Sequence, residues 1–392
     1  MLEKEKLKDK IFKKHNSFYS LNTKKQNDKN YVLSKIIKIK QNEKYLKNIN
    51  KDEIQILDQA IKDLTPDIKN DKNNDLQFKL TENVISEIEN LEEKNILKYV
   101  IHRYRYEIFP KKQLLHKYPP CLQIEPSSIC NYRCVFCFET DPTFNNKKFG
   151  HMGSMQLDMF KNIVDQAQNN VEFITIASRG EPLVSKNINE MLIYTKNKFL
   201  NLKLNTNASL LTEKLCHTIL QGGVQTIVFS ADAADENMYK KLRVGGDLNK
   251  VLKNVEMFQN IREKQYSSQK IISRVSGVKV SKEQNFNSML ELWGNLVDQV
   301  AFVEYNPWEN TYLRKMNNIK EPCSDLWRRM FVWWDGKANP CDVDYKSNLS
   351  VGTIKNKSLE QLWHSDEYIK LRNLHQNNLR SELSPCKSCT VI

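Results

Sequence analysis

The residues best able to do chemistry in this 392-residue chain are its nine cysteines. Cys130, Cys134 and Cys137 stand together in the run Cys130-Asn-Tyr-Arg-Cys134-Val-Phe136-Cys137. Cys323, Cys341, Cys386 and Cys389 lie towards the C-terminal end, the last pair as a C-x2-C. Cys121 and Cys216 are isolated in apolar surroundings and read as small buried hydrophobes. The start, MLEKEKLKDKIFKKHN, has no apolar leader, so metal or redox chemistry is expected rather than disulfides. Thiolates this close on one loop can grip a metal centre. Ordinary iron–sulfur clusters use four cysteines. The first group supplies three and stops, which would leave one iron of a [4Fe-4S] cluster open. Zinc is the alternative, and it normally takes four ligands, locally or in pairs.

Such ligands need a scaffold. Between Tyr118 and Tyr305, short apolar runs begin at Leu122, Glu172, Leu202, Thr226, Ile271 and Gln299. Helical patterns lie between them, at Ser154 to Gln168, Lys186 to Lys198, Thr212 to Leu220 and Leu248 to Ile261. Strands alternating with helices imply βα units around a parallel sheet. Six units are too few for an eight-fold barrel and suit a partial barrel or an open sheet, with its site at the C-terminal strand ends. The first hundred residues carry helical periodicity at Ile54-Leu57-Ile61-Leu64 and Ile85-Ile88-Leu91, and read as a solvated helical extension frayed over its first 30 residues. In the tail, the run from Phe331 predicts a hairpin turning at Asp335-Gly336, and Ser358 to Leu374 predicts one amphipathic helix, with Ser358 and Gln361 as a capping box.

Short motifs follow successive strands. They are Ser178-Arg179-Gly180-Glu181-Pro182, Asn205-Thr206-Asn207-Ala208, and Ser230-Ala-Asp232 with Tyr239 and Arg243. Taken singly, each is a turn, a cap or a surface arginine; their order lifts them together. With the C-x3-C-x2-C run and its aromatic Phe136, they resemble the radical S-adenosylmethionine (radical SAM) superfamily. The resemblance implies that Cys130, Cys134 and Cys137 hold a [4Fe-4S] cluster whose open iron binds SAM, which is cleaved to a 5′-deoxyadenosyl radical. It implies SAM-binding roles for Phe136, Gly180, Glu181, Pro182, Asn205, Ser230 and Arg243. Arg179 replaces the family's first motif glycine, and Ala208 replaces a glycine. The fifth-strand glycine motif has no clear counterpart, Arg274 and Gly277 being nearest. The tail cysteines resemble SPASM and twitch domains, and their number suits the shorter twitch type with one auxiliary [4Fe-4S] cluster. A structural zinc ribbon is the alternative there.

The fold expected is therefore α/β: a partial (β/α)6 radical SAM barrel over 116–315, a helical N-terminal extension over 1–115, and a small Cys-rich α+β twitch/SPASM-like domain over 316–392. The resemblance implies oxidation of a sugar, cyclitol or other small molecule, with the auxiliary cluster accepting an electron and flavodoxin or ferredoxin as reductant. Peptide modification is the nearest alternative. The general base is not identified; Asp342, Asp344, Glu304 and Arg274 are candidates by position. The net charge of +13 raises nucleic acid as a partner, and a zinc-binding nucleic-acid protein is the competing class. Yet the charge is dispersed, and its densest stretch, His102 to Lys117, reads as a solvated basic surface. An anionic substrate stays open. No apolar run reaches the roughly 18 residues of a membrane span, so a soluble, cytoplasmic protein is expected.

Overall fold

A computed structural model describes residues 11, 20–23, 28–65, 75–177 and 179–392. Most of the segment expected to fray lies outside the described residues, but Ser20–Thr23 forms a strand, β1, which the sequence reading missed. Helices α1 (Lys29–Lys40), α2 (Lys51–Leu64), α3 (Glu82–Asn90) and α4 (Glu93–Glu107) follow. Asn50 and Glu53 close a reciprocal capping box on α2, and Thr81 caps α3.

The six expected βα strands are β2 (Cys121–Ile124), β3 (Phe173–Ile176), β4 (Asn201–Thr206), β5 (Thr226–Ser230), β6 (Ile272–Lys279) and β7 (Gln299–Glu304). They pair in parallel in sequence order, the arrangement of a partial barrel. The helices between them pack on one face. Leu122, Ile124, Ile174, Ile176, Leu202, Leu204 and Ile227 share a buried core with α5 (Leu157–Ala167), α6 (Ile188–Tyr194) and α7 (Glu213–Gln221). Alternation then turns Cys121, Gln123, Phe173, Thr175, Lys203 and Asn205 to the opposite face.

The tail does not stand apart from this sheet. Strand β8 (Arg329–Val332) lies parallel to β2, and β9 (Lys337–Asn339) and β10 (Gly352–Thr353) continue antiparallel, while β1 closes the far edge against β7. The expected hairpin is present, with Gly336 in the left-handed region at φ +88°. The single helix expected over Ser358–Leu374 is instead two, α8 (Leu359–Trp363) and α9 (Asp366–Gln376). The capping box at Ser358 and Gln361 is present, but Ser365 caps a fresh start by accepting from the Tyr368 N–H. A serine that competes for backbone donors breaks a pattern that periodicity alone would continue.

The N-terminal helices are not a solvated extension. Tyr99, His102 and Tyr106 of α4 surround Phe173 on the face opposite α5–α7. His102 and Arg105 are buried, Arg105 paired with Glu53, so the start of the basic stretch is not a solvated surface, while Lys112 and Lys117 further along it are exposed. The helices close the lower end of this second face. Among the described residues, no helix is long and apolar enough to cross a membrane.

Phe173 is the seam between the N-terminal helices and the sheet. Replacing it with alanine should cost about 3–5 kcal/mol and free α1–α4 for cleavage. Denaturant midpoints and limited proteolysis of Phe173→Ala would show this; wild-type resistance would break the link.

Candidate metal centre and cofactor site

The Cys130 loop follows β2 and is tied to the next two strand ends. A Cβ at Gly180 would stand 2.5 Å from the Ser127 carbonyl oxygen and 2.6 Å from that of Ile129. Only glycine lets the two loops lie so close, and the Glu181 N–H donates to Ile129 (3.0 Å). Pro182 begins a short 3-10 turn capped by Glu181. The buried Glu181 carboxylate accepts from the Thr206 hydroxyl and the Asn207 N–H, both at 2.7 Å, and from the Leu183 N–H (3.1 Å). Asn131 of the cysteine loop bonds Asn207 (3.0 Å) and Ser209 (2.9 Å). Ala208, where the family has glycine, keeps the left-handed backbone at φ +61°. Ser178 lies outside the described residues.

From the other side, Arg133–Cys134 pairs antiparallel with Arg243–Val244. The buried Arg243 guanidinium is 3.8 Å from the Cys134 sulfur, 5.7 Å from the Phe136 ring centre and 2.5 Å from Asp232, whose other oxygen accepts from the Val278 N–H. Burial pushes the Cys130 thiol up to about 12, helped by Glu181, and Cys134 up to about 11 against the pull of Arg243. Such thiols are inert nucleophiles, and their thiolates suit a bound cation. Asn205 and Ser230 are half-buried on the face away from the helices. The structure thus gathers Phe136, Gly180, Glu181, Pro182 and Arg243 around the three cysteines, with Asn205 and Ser230 on the strands beneath.

The departure at Arg179 has a clear physical account. Its backbone N–H, Nε and Nη2 donate to the fully buried Glu125 at 3.1, 2.8 and 2.5 Å. Its Nη1 donates to the Tyr345 carbonyl (2.9 Å), and its plane lies 4.2 Å from the Trp333 ring centre. Glu125 also accepts from the Trp334 N–H (3.1 Å). A glycine would keep the backbone bond but leave this buried carboxylate without the Arg179 counter-charge. Sequence reasoning missed Glu125, whose only signal was its place at the end of the first strand run.

Cys323 and Cys341 pack against the buried cluster that holds Cys389, three positions after Cys386, so the tail cysteines form a second group. Arg380 holds the carbonyls of Glu321 and Cys389, and the Cys323 N–H donates to His375. Between the two groups stands an aromatic wall. Phe138 stacks on Tyr345 at 4.9 Å, Tyr312 meets Tyr345 edge-on, and Trp308 reaches from Phe138 to the tail cluster around Cys389. Among the described residues, no three ligands converge on a single-ion site.

Two of the four candidate bases are structural. Asp344 accepts from Tyr312, Asn348 and Leu349 and pins the loop after Cys341. Arg274 is held by Gln299 (2.8 Å) and Asn83 (2.5 Å) on the helix-capped face. Gly277 packs against the Ala231 backbone. Asp342 and Glu304 are half-buried.

Comparison with known proteins agrees with this geometry. Residues 124–269 match the profile of the Radical SAM superfamily, and residues 323–390 match the iron–sulfur cluster-binding domain SPASM. A GTP 3′,8-cyclase of Clostridium botulinum is 28% identical over 193 residues, 47% of this chain and 56% of that relative. The chain thus spans about half the length of that relative. A tungsten-containing aldehyde ferredoxin oxidoreductase cofactor-modifying protein of Pyrococcus furiosus is 22% identical, over 68% of this chain and 86% of its own. Streptococcus suis SuiB bound to precursor peptide SuiA shares the fold, with TM-score 0.51 and 19% identity over 87% of this chain and 81% of its own.

Arg179→Ala should destabilise the chain by about 3–5 kcal/mol, since it strands a buried carboxylate, and Glu125→Gln in the same chain should recover part of the loss. Denaturant melts of the single and double variants decide it; a neutral Arg179→Ala would remove the pair from this role.

Proposed function

We infer, for a chain that carries a radical SAM domain followed by a SPASM iron–sulfur domain, that the reaction is oxidation of a small molecule such as a sugar or cyclitol. When bound and reduced by an external donor such as flavodoxin or ferredoxin, a [4Fe-4S] cluster with one open iron would supply the electron for reductive cleavage of SAM to a 5′-deoxyadenosyl radical. Cys130, Cys134 and Cys137 would hold that cluster. Glu181 would offer its carboxylate beside them to the SAM amine, and Arg243 presents its charge between Phe136 and Cys134. Cys323, Cys341, Cys386 and Cys389 are enough for one further cluster with all-cysteine ligation, which would receive the electron left after the substrate loses a hydrogen atom and a proton.

One observation carries the choice of a small molecule. The sheet face away from α5–α7 is closed below by α3 and α4, while Asn205, Ser230, Ser276 and Val303 remain half-exposed nearer the cysteine loop. This chamber has a floor, which supports a compact substrate over an extended chain passing through. The GTP 3′,8-cyclase and SuiB likenesses make a nucleotide and a peptide the comparators in the test.

With deuterated members of a sugar, nucleotide and peptide panel, label should reach 5′-deoxyadenosine only from a small molecule; transfer from peptides alone would reverse the choice. Replacing Cys130, Cys134 and Cys137 together by alanine should leave about four irons per chain and abolish SAM cleavage, measured by iron assay and 5′-deoxyadenosine yield. Continued cleavage would dismiss the loop. Glu181→Ala should weaken SAM binding about ten- to a hundredfold through one lost charged hydrogen bond at unchanged iron content. Equilibrium SAM titration would show it, and unaltered affinity would take Glu181 out of the site.

A further inference from the structure

Lys203 occupies the middle of β4, beside Thr175 on β3 and Thr226 on β5. Its neighbours Leu202 and Leu204 belong to the helix-side core, so Lys203 faces the chamber. Protein surrounds it, yet its side chain is only half-buried. A lysine in such a place is normally paired with a carboxylate. Among the described residues, no carboxylate or hydrogen-bond acceptor pairs with this amine. The groups that act on it are Arg329 and Arg274, which repel it, and Cys121 and Glu87, which attract it. Glu87 on α3 is engaged by Tyr99 and Asn83, and Arg329 lies 3.5 Å from Asp325. Burial and the two guanidiniums bring the Lys203 ammonium down to about 8, so it keeps most of its charge at neutral pH.

A second, independent group points the same way. Two residues along the same strand face, the Asn205 side-chain oxygen is buried and has no hydrogen-bond partner. A buried polar atom left unmatched costs free energy, and the Asn205 oxygen is one, on the same strand face as the half-buried Lys203 amine. Neither is needed to hold β4, whose register is set by its backbone ladder and by the leucines on its other face. Their common feature is the strand face they share, the one turned away from α5–α7.

We propose that Lys203 anchors an anionic group of the substrate, a phosphate or a carboxylate, on the floor of the chamber, with Asn205 bonding the substrate above it. The proposal rests on the small-molecule reading and narrows its substrate class. Four residues of strand separate Lys203 from Asn207 beside the cysteine loop, about 13 Å at the usual strand rise. That span fits a molecule of sugar-phosphate or sugar-acid size, anion down and reacting carbon up.

The test uses the full chain, reconstituted anaerobically, as wild type, Lys203→Met and Lys203→Arg. Inorganic phosphate and acetate are titrated by calorimetry at constant ionic strength. Wild type should bind at least one of them saturably; Lys203→Met should bind it at least about tenfold more weakly, and Lys203→Arg should regain part of the affinity. Preference for phosphate marks a phosphoryl substrate, and preference for acetate a carboxylate. Equal anion binding by wild type and Lys203→Met, or no saturable binding by wild type, overturns the anchor. Lys203→Met removes an unmatched charge and should melt no lower than wild type; a lower melting temperature would reveal a structural partner and also overturn it. Failure of the small-molecule reading is separate: the deuterium panel would then label 5′-deoxyadenosine from peptides, whatever the anion titrations show.

Discussion

The buried pair of Glu125 and Arg179 holds the two halves of this protein together. Glu125 directly follows β2, Arg179 lies in the loop after β3, and their shared bonds reach the tail at Tyr345 and Trp334. A fully desolvated carboxylate is tolerable only with charged and hydrogen-bonded partners, and here each of its partners lies on a different segment. The cysteine loop, the Gly180 loop and the tail therefore order together. The aromatic wall of Phe138, Tyr345 and Tyr312 then fixes how the two cysteine groups face one another.

Much of this was legible from local pattern. The six strands show as apolar runs because parallel strands are covered on at least one face, and the cysteine spacing is local by nature. Thr212 and Ser358 announced helix starts that the structure keeps. The misses are long-range. Pairing of β8 with β2 joins residues some two hundred positions apart, and no periodicity in either run reports its neighbour. Glu125 is one acidic residue whose partners lie 54 and 209 residues away. His102 and Arg105 looked solvated because composition does not reveal that α4 turns them inward against the sheet and Glu53. The Arg179 substitution looked like damage to a glycine motif. It becomes intelligible only with Glu125 in view.

The N-terminal helices take on a definite part in this arrangement. They cover the lower face of the sheet, with Asn83 and Ser86 bonded to Arg274 and Gln299, and leave the upper face open next to the cysteine loop. Stability and substrate choice thus share one surface. The buried contacts that dock α3 and α4 are also what give the chamber a floor, and the charge left unmatched on that floor sets the kind of molecule it would admit.

One chain is expected to hold two separate iron–sulfur centres, on either side of the aromatic wall. Metal and acid-labile sulfide analysis of the full chain, reconstituted without oxygen, addresses it most directly. About eight irons and eight sulfides per chain are expected, as two four-iron clusters. One zinc with four irons would make the tail a structural staple, and zinc alone would be incompatible with both centres.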